Sequence, residues 1–413
     1  MPGPGYAFFG EEEEKNILEA VRHWRDASGA LGAPTAPSQI GRFEAEAAAR
    51  FGARHCVAVN SGTSALLTAL AALGIGPGDE VIVPGYMFVA SLSTIVYSGA
   101  TPVLAEIDDS FTLDVADVRG RIGPRTRAIM AVHMLGAPSA MQELRELADE
   151  HGVALIEDVA QACGATYRGR PLGTWGDAGA FSLNPFKVIT AGEGGFVLTD
   201  DDRTHQRAFS FHDHGFLPGG VEVGDGDLLF GLNLHITEFG AAIARAQLGK
   251  IDEVLRRTRE VKRAFVAQIP DRPGVRRRTL NDAEGECGTL AVYVFDDASD
   301  ARAVAAELGV TVLAESPKHN YARIPGLPAL AAGPQSPAPF RASLPASAAA
   351  SYRPGALPRT DDLLGRSIAV AIGLSDTYLG AGFGATVRSS AEQIDQAAAT
   401  FRSALDRVLP SRS

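Results

Sequence analysis

From about Cys56 to Thr199 the chain alternates short apolar runs with amphipathic stretches, and that alternation narrows the possible folds more than any other feature. Cys56–Val59, Glu80–Pro84, Thr101–Ile107 and Arg127–His133 read as short buried strands, as does the run Val153–Ile156. Between them lie helical patterns. One carries Leu66, Leu67, Leu70 and Leu73, one follows Met87–Ala90 and closes near Gly99, and one spans Ser139–His151 with a glycine stop at Gly152. Strands and helices in turn predict an α/β fold with a largely parallel sheet covered on both faces. Ligands of such sheets bind at the carboxyl ends of strands. The polar clusters fall at those ends: Asn60–Ser64, His133, Asp158 with Gln161, and Ser182–Lys187.

The stretch from Val153 to Asp200 carries the most chemistry. Its apolar run ends on two acids, Glu157 and Asp158. A second short strand pattern, Ala178–Ser182, runs into Lys187 and then Gly192-Glu193-Gly194-Gly195. A strand-end carboxylate and a lysine held in a glycine-rich turn are what pyridoxal phosphate chemistry needs. The lysine forms the Schiff base, and the acid keeps the pyridine nitrogen protonated so that the ring accepts electrons. A lone lysine in a loop is more often a solvated charge, so the weight rests on the whole pattern.

Composition bounds the class. A chain of 413 residues suggests two or three structural units, and 46% apolar with 21% charged residues is ordinary for a globular enzyme. A net charge of −11, with no Lys/Arg-rich run, argues against a nucleic-acid surface. Cys56, Cys163 and Cys287 stand far apart and read as reduced residues of a cytoplasmic protein. No signal-peptide pattern opens the chain and no apolar run approaches membrane-spanning length, so neither is expected.

Elsewhere the reading is coarser. Glu11–Trp24 and Gln39–Phe51 read as helices, with a Gly/Ala/Pro loop at Ser28–Pro37 between them. Asn60-Ser61-Gly62-Thr63-Ser64 joins a strand to a helix start, a natural anion site; the plainer reading is that Ser61 or Thr63 caps the helix. Phe211-His212-Asp213-His214-Gly215 lacks the three or four converging ligands a metal needs, and no metal is expected. Leu217–Leu228 reads as a surface loop. A long helix, Glu238 to about Phe265, should bridge into a second unit with strands Leu290–Phe295 and Val310–Leu313 around a helix at Asp300–Leu308. Ala329–Pro358 is Ala/Pro/Ser-rich and carries no assignment.

Seven segments in order resemble the DegT/DnrJ/EryC1/StrS family of pyridoxal-phosphate aminotransferases, which act mainly on nucleotide-linked or antibiotic sugars. They are NSGTSAL from Asn60, GDEVIVPGYMFVAS from Gly78, GATPVLAEID from Gly99, VHMLGAP from Val132, IEDVAQACGA from Ile156, GDAGAFSLNPFKVITAGEGG from Gly176 and GLNLHITEF from Gly231. The resemblance runs from about Gln39 to Leu255 and more loosely to the C-terminus. It implies aminotransferase fold type I: a large domain over residues 1–255 with a mostly parallel seven-stranded sheet, and a smaller α+β domain over 256–413.

The resemblance also implies roles. Lys187 is similar to the Schiff-base lysine and Asp158 to the acid paired with the pyridine nitrogen. Gln161 resembles the residue near the cofactor's 3-hydroxyl, and Phe88 the aromatic stacked on its ring. Gly62, Thr63, Ser64 and Ser182 resemble the phosphate cradle. Asn233 resembles the residue reaching the phosphate from a neighbouring subunit, which implies a homodimer with shared sites. The implied reaction passes nitrogen from an amino-acid donor, L-glutamate or L-glutamine, through pyridoxamine phosphate to a keto- or aldehydo-sugar. His235 stands where the family commonly has arginine, and Asn184 where it often has histidine or an aromatic residue, so substrate recognition is the expected difference. The segments around CGATYRGRPLGTWGDAGAFS and FHDHG most resemble the branch that aminates the terminal carbon of a long-chain sugar acid. Carbon–carbon bond formation, elimination or dehydration on the same scaffold, and a non-catalytic regulatory role, stand as alternatives.

Overall fold

The structure is a computed structural model that describes residues 3–27, 38–217, 224, 227–327 and 352–409. Seven strands form the large sheet: β1 (His55–Val59), β2 (Glu80–Pro84), β3 (Thr101–Ala105), β4 (Thr126–Val132), β5 (Ala154–Asp158), β6 (Ala178–Ser182) and β7 (Gly195–Thr199). Their order is β1-β7-β6-β5-β4-β2-β3. Only β7 runs antiparallel to its neighbours, β1 and β6; the remaining pairs are parallel. The strands are buried over nearly their whole length and mostly apolar because both faces are covered, as parallel sheets require.

Helices α2 (Gln39–Phe51), α3 (Gly62–Ala72), α4 (Val89–Tyr97), α5 (Val115–Arg121), α6 (Met141–His151) and α7 (Asp202–His212) flank this sheet, and α1 (Glu11–Ala27) packs on the later helix Glu238–Gly249. One core cluster joins Val57, Leu66, Val83 and Ile156 on one side, and another joins Phe43, Ile129, Leu144 and Phe196 on the other. Strand periodicity explains the split, since alternate residues of each strand face opposite sides.

The long helix expected over Glu238–Phe265 is two helices, α8 (Glu238–Gly249) and α9 (Ile251–Val266). They meet at Lys250, whose ammonium is held by Glu12, Glu13 and the carbonyl of Phe8, so the N-terminal segment ties down the break. Helix α9 feeds two cores: Ile251, Val254 and Leu255 join the large-sheet cluster, whereas Val261 and Phe265 pack beneath a second sheet.

That second sheet has the order β8 (Val275–Arg277), β9 (Leu290–Phe295), β10 (Ser367–Ile372), β11 (Gly384–Ala385). Helices α10 (Ala298–Leu308), α11 (Pro358–Gly365) and α12 (Ala391–Val408) accompany it. The strand expected at Val310–Leu313 does not form. The amide of Val310 closes the end of α10 on Ala305, and the chain then turns through a 3-10 segment at Leu313–Glu315. Its place beside β9 is taken by β10, a fully buried run pairing from Leu290↔Ala371 to Val294↔Ser367. The loop read at Ser28–Pro37 lies outside the described residues, as do most of Leu217–Leu228 and of Ala329–Pro358. No helix among the described residues is long and apolar enough to cross a membrane.

Candidate active site

The site lies at the carboxyl ends of β5 and β6. Asp158 closes β5, is 4% exposed, and accepts hydrogen bonds from Ser91 Oγ (2.6 Å) and the amide of Ala160 (3.0 Å). Its neighbour Glu157 points to the opposite face, as strand alternation demands. There Glu157 is fully buried and accepts the amides of Gly173, Trp175 and Gly176. It also meets His133 Nε2 at 3.1 Å; because His133 Nδ1 accepts the amide of Ser139, Nε2 is the protonated nitrogen and donates to Glu157. The polar cluster at His133 is therefore part of the scaffold.

Lys187 sits in the turn after β6, with its amide on Asn184 O, and is 9% exposed. Burial lowers its pKa, while the carboxylates of Asp158, Asp376 and Glu193 act in the other direction. The net shift favours a neutral amine, the form that attacks a carbonyl. Its Nζ lies 5.8 Å from the centroid of the Phe88 ring. Lys187, Phe88, Gln161, Asn184, Lys318 and Asp376 line one cavity. Gln161 is fixed there by accepting the amide of Leu135 at 2.8 Å.

The anion seat is the start of α3. Ser61 caps the helix by accepting the amide of Ser64 at 3.0 Å, so the capping reading holds for that residue. Ser64 Oγ in turn donates to Asn60 Oδ1 at 2.6 Å. Gly62 lies against Ser182, where a Cβ would come within 2.5 Å of Ser182 Cβ, so any side chain here would push the helix start away from β6. Ser182 Oγ accepts the amide of Asn184 at 3.4 Å, which joins this seat to the lysine turn.

Comparison with known proteins decides the family. Residues 13–311 match the DegT/DnrJ/EryC1/StrS aminotransferase family. The chain belongs to that family. It is 40% identical to the L-glutamine:2-deoxy-scyllo-inosose aminotransferase of Streptomyces paromomycinus over 67% of this chain and 69% of that protein. It is 43% identical to the GDP-perosamine synthase of Caulobacter vibrioides over 53% of this chain and 59% of that one. The structure of DesV from S. venezuelae superposes with a TM-score of 0.73 at 30% identity, covering 98% of each chain. As a member of the DegT/DnrJ/EryC1/StrS family, the protein is an aminotransferase of fold type I and uses pyridoxal phosphate.

The residues present fit that group. A helix start offers amides to a phosphate, and Gly62 lets that start lie close against Ser182. A buried carboxylate, an aromatic ring and a buried lysine surround or adjoin one cavity. Of the residues singled out in the sequence, Phe88, Gln161 and Lys187 line the cavity, and Asp158 acts on the lysine's charge. Gly62, Thr63 and Ser64 open α3 beside Ser182. Asn233 is exposed and its side chain accepts the amide of His235, which pairs with Asp213 at 3.2 Å, while the carbonyl of the next residue, Leu234, accepts the amide of Asn60 at 2.7 Å. Among the described residues no cluster of three or more His, Cys, Asp or Glu side chains is arranged for a metal.

Sequence reasoning missed Ser91, Lys318, His319, Asp376 and Tyr378. Ser91 follows Phe88 by one helical turn, a spacing that could have signalled it. The others come from the second half of the chain, where irregular segments give no periodic signal.

Proposed function

We propose that the protein transfers the amino group of L-glutamine or L-glutamate to a ketone carried by a sugar or cyclitol ring. The observation that carries this reading is the buried Lys187 amine set in one cavity with Phe88 and Gln161, within reach of the Asp158 charge. The relatives support the acceptor class: one is named for 2-deoxy-scyllo-inosose, and a UDP-N-acetyl-3-dehydro-alpha-D-glucosamine 3-aminotransferase from Acidithiobacillus ferrooxidans is 42% identical over 54% of this chain. Several of these matches span about three-fifths of the relative's length.

Pyridoxal phosphate, when bound, supplies the electron sink and carries nitrogen between the two substrates. Lys187 binds the cofactor and moves the proton at the reacting carbon, a task its lowered pKa suits. Asp158, held by Ser91, would pair with the ring nitrogen and keep its proton in place. Phe88 and Gln161, both in the cavity wall, would hold the ring and its hydroxyl. Gly62, Thr63, Ser64 and Ser182 would seat the phosphate, and Asn233 would serve it from a second copy in a homodimer. The large domain is taken as residues 1–255 and the small one as 256–413, with the reaction in the cytoplasm.

Lys187→Ala tests the assignment. The variant should lose the visible absorbance of the lysine-bound cofactor and the adduct fixed by borohydride, while still binding added pyridoxamine phosphate. A borohydride-fixed adduct persisting in the variant would place the chemistry on another lysine.

A further inference from the structure

The cavity beside Lys187 holds a second lysine whose place is set by backbone. Residues 318–321 run antiparallel to 85–89. The amide of Val89 donates to Lys318 O at 2.8 Å, the amide of Met87 to His319 O at 3.0 Å, and the amide of Tyr321 to Gly85 O at 3.0 Å. These bonds bracket Phe88, so Lys318 is fixed to the segment that presents the Phe88 ring. The Lys318 ammonium lies 3.8 Å from the Tyr378 ring centroid and has no ion pair among the described residues. Such a cation is desolvated on its aromatic side and keeps its remaining donors for a ligand.

The charged side chains lining this cavity, apart from histidine, are Lys187, Lys318 and Asp376. His319, also in the wall, is held neutral: burial and the two lysines push its pKa down to about 3. Burial raises the Asp376 carboxyl above its ordinary value, opposed by the amide of Tyr378, which it accepts at 2.9 Å, and by the charges of Lys187 and Lys318, which favour the anion. With Lys187 as the reacting amine, the remaining pair is one cation and one anion. That pair matches a zwitterion.

We infer that Lys318 binds the α-carboxylate of the amino-acid donor while Asp376 faces its α-ammonium, so that Lys318 sets the enzyme's selectivity for α-amino acids. An α-carboxylate is one bond from the reacting carbon and must lie in the same cavity as the reacting nitrogen. A keto sugar or cyclitol has no obligatory charge at that distance. This assignment deepens the transaminase reading and rests on it.

The test is a titration of the holoenzyme with 2-methylglutamate, which binds as a donor but has no α-proton to lose, read from the visible spectrum. Lys318→Met keeps the stem and removes the charge. Loss of a charged hydrogen bond should raise the Kd for 2-methylglutamate about tenfold or more. Lys318→Arg should restore it to within about threefold of wild type, since the charge returns with altered geometry. The Kd for 4-aminobutanoate, which is glutamate without its α-carboxylate, should stay unchanged in Lys318→Met, as should the KM of the acceptor. Equal weakening of both ligands, weakening of neither, or a rise confined to the acceptor KM would each overturn the assignment. If wild-type holoenzyme keeps its visible band and binds neither ligand, the amino-acid donor itself is wrong and the inference goes with it.

Discussion

Glu157 and Asp158 are neighbours of the same charge type, yet the sheet separates their tasks. Alternation sends Glu157 to a dry face where three amides and His133 await it, and Asp158 to the face that reaches Lys187. Their substitutions should therefore fail differently. Glu157→Ala strands several buried donors and should cost roughly 3 kcal/mol or more in urea unfolding. Asp158→Asn keeps the shape and most of the stability but removes the charge proposed to hold the ring nitrogen's proton. The donor half-reaction, followed by stopped-flow absorbance, should slow by orders of magnitude while phosphate-based binding of the cofactor survives. Near-normal turnover in Asp158→Asn would remove it from its assigned role. At this scale the sequence was readable where a residue ends a strand: Asp158 and Lys187 stand out by position alone. Lys318 and Asp376 do not, because only long-range pairing with residues 85–89 and the cavity itself bring them near Lys187.

At the scale of elements, β1 forms one edge of the large sheet, and bare edges invite pairing with other chains. Here α2 covers it: Glu44 accepts the amide of Ala58 at 2.8 Å. Burial pushes the Glu44 carboxyl up to about 7, against an ordinary value of 4.5. Between those values the folded chain keeps a proton that the unfolded chain releases. The stability Glu44 contributes is thus complete below about pH 4.5 and is lost as pH rises through 7, an effect on the order of 3 kcal/mol. Glu44→Gln keeps an acceptor without a charge. Compared by urea unfolding, the variant should match wild type near pH 4.5 and exceed it near pH 8; equal stability at both would show that the carboxyl is not desolvated. Element types came through where apolar runs alternated with helical patterns, as in β1 to β6, whereas β7 behind its glycine-rich turn was not read as a strand. The break at Lys250 did not, because its cause is an ion pair with Glu12 and Glu13, far away in sequence. The N-terminal glycines were equally silent: a Cβ on Gly3 would come within 2.3 Å of the Phe186 carbonyl carbon, so this segment braces the lysine turn by close backbone approach.

On the scale of the whole molecule, the two sheets meet around the cavity, and α9 reaches into both cores. The half beyond Val266 was the harder to read. Its sheet is built from strands distant in sequence, and β10 finds β9 only through tertiary pairing. Asn233 poses the remaining problem at this scale. It is exposed beside Phe230, 98% exposed, and Leu232, 51% exposed, and apolar surface of that kind suits a covering subunit. If a second copy supplies that cover, Asn233 of one subunit serves the phosphate seat of the other, and a monomer is incomplete. Asn233→Asp should then be inactive alone, since its carboxylate repels the phosphate, and Lys187→Ala is inactive for want of its amine. In a mixed dimer one site carries both defects and the other carries neither. With random exchange about half the dimers are mixed, each with one intact site of two, so activity should recover to about a quarter of wild type. Exchange is verified separately by mass-tagged subunits. No recovery once exchange is demonstrated would mean that Asn233 serves its own chain, and the shared-site arrangement would have to be abandoned.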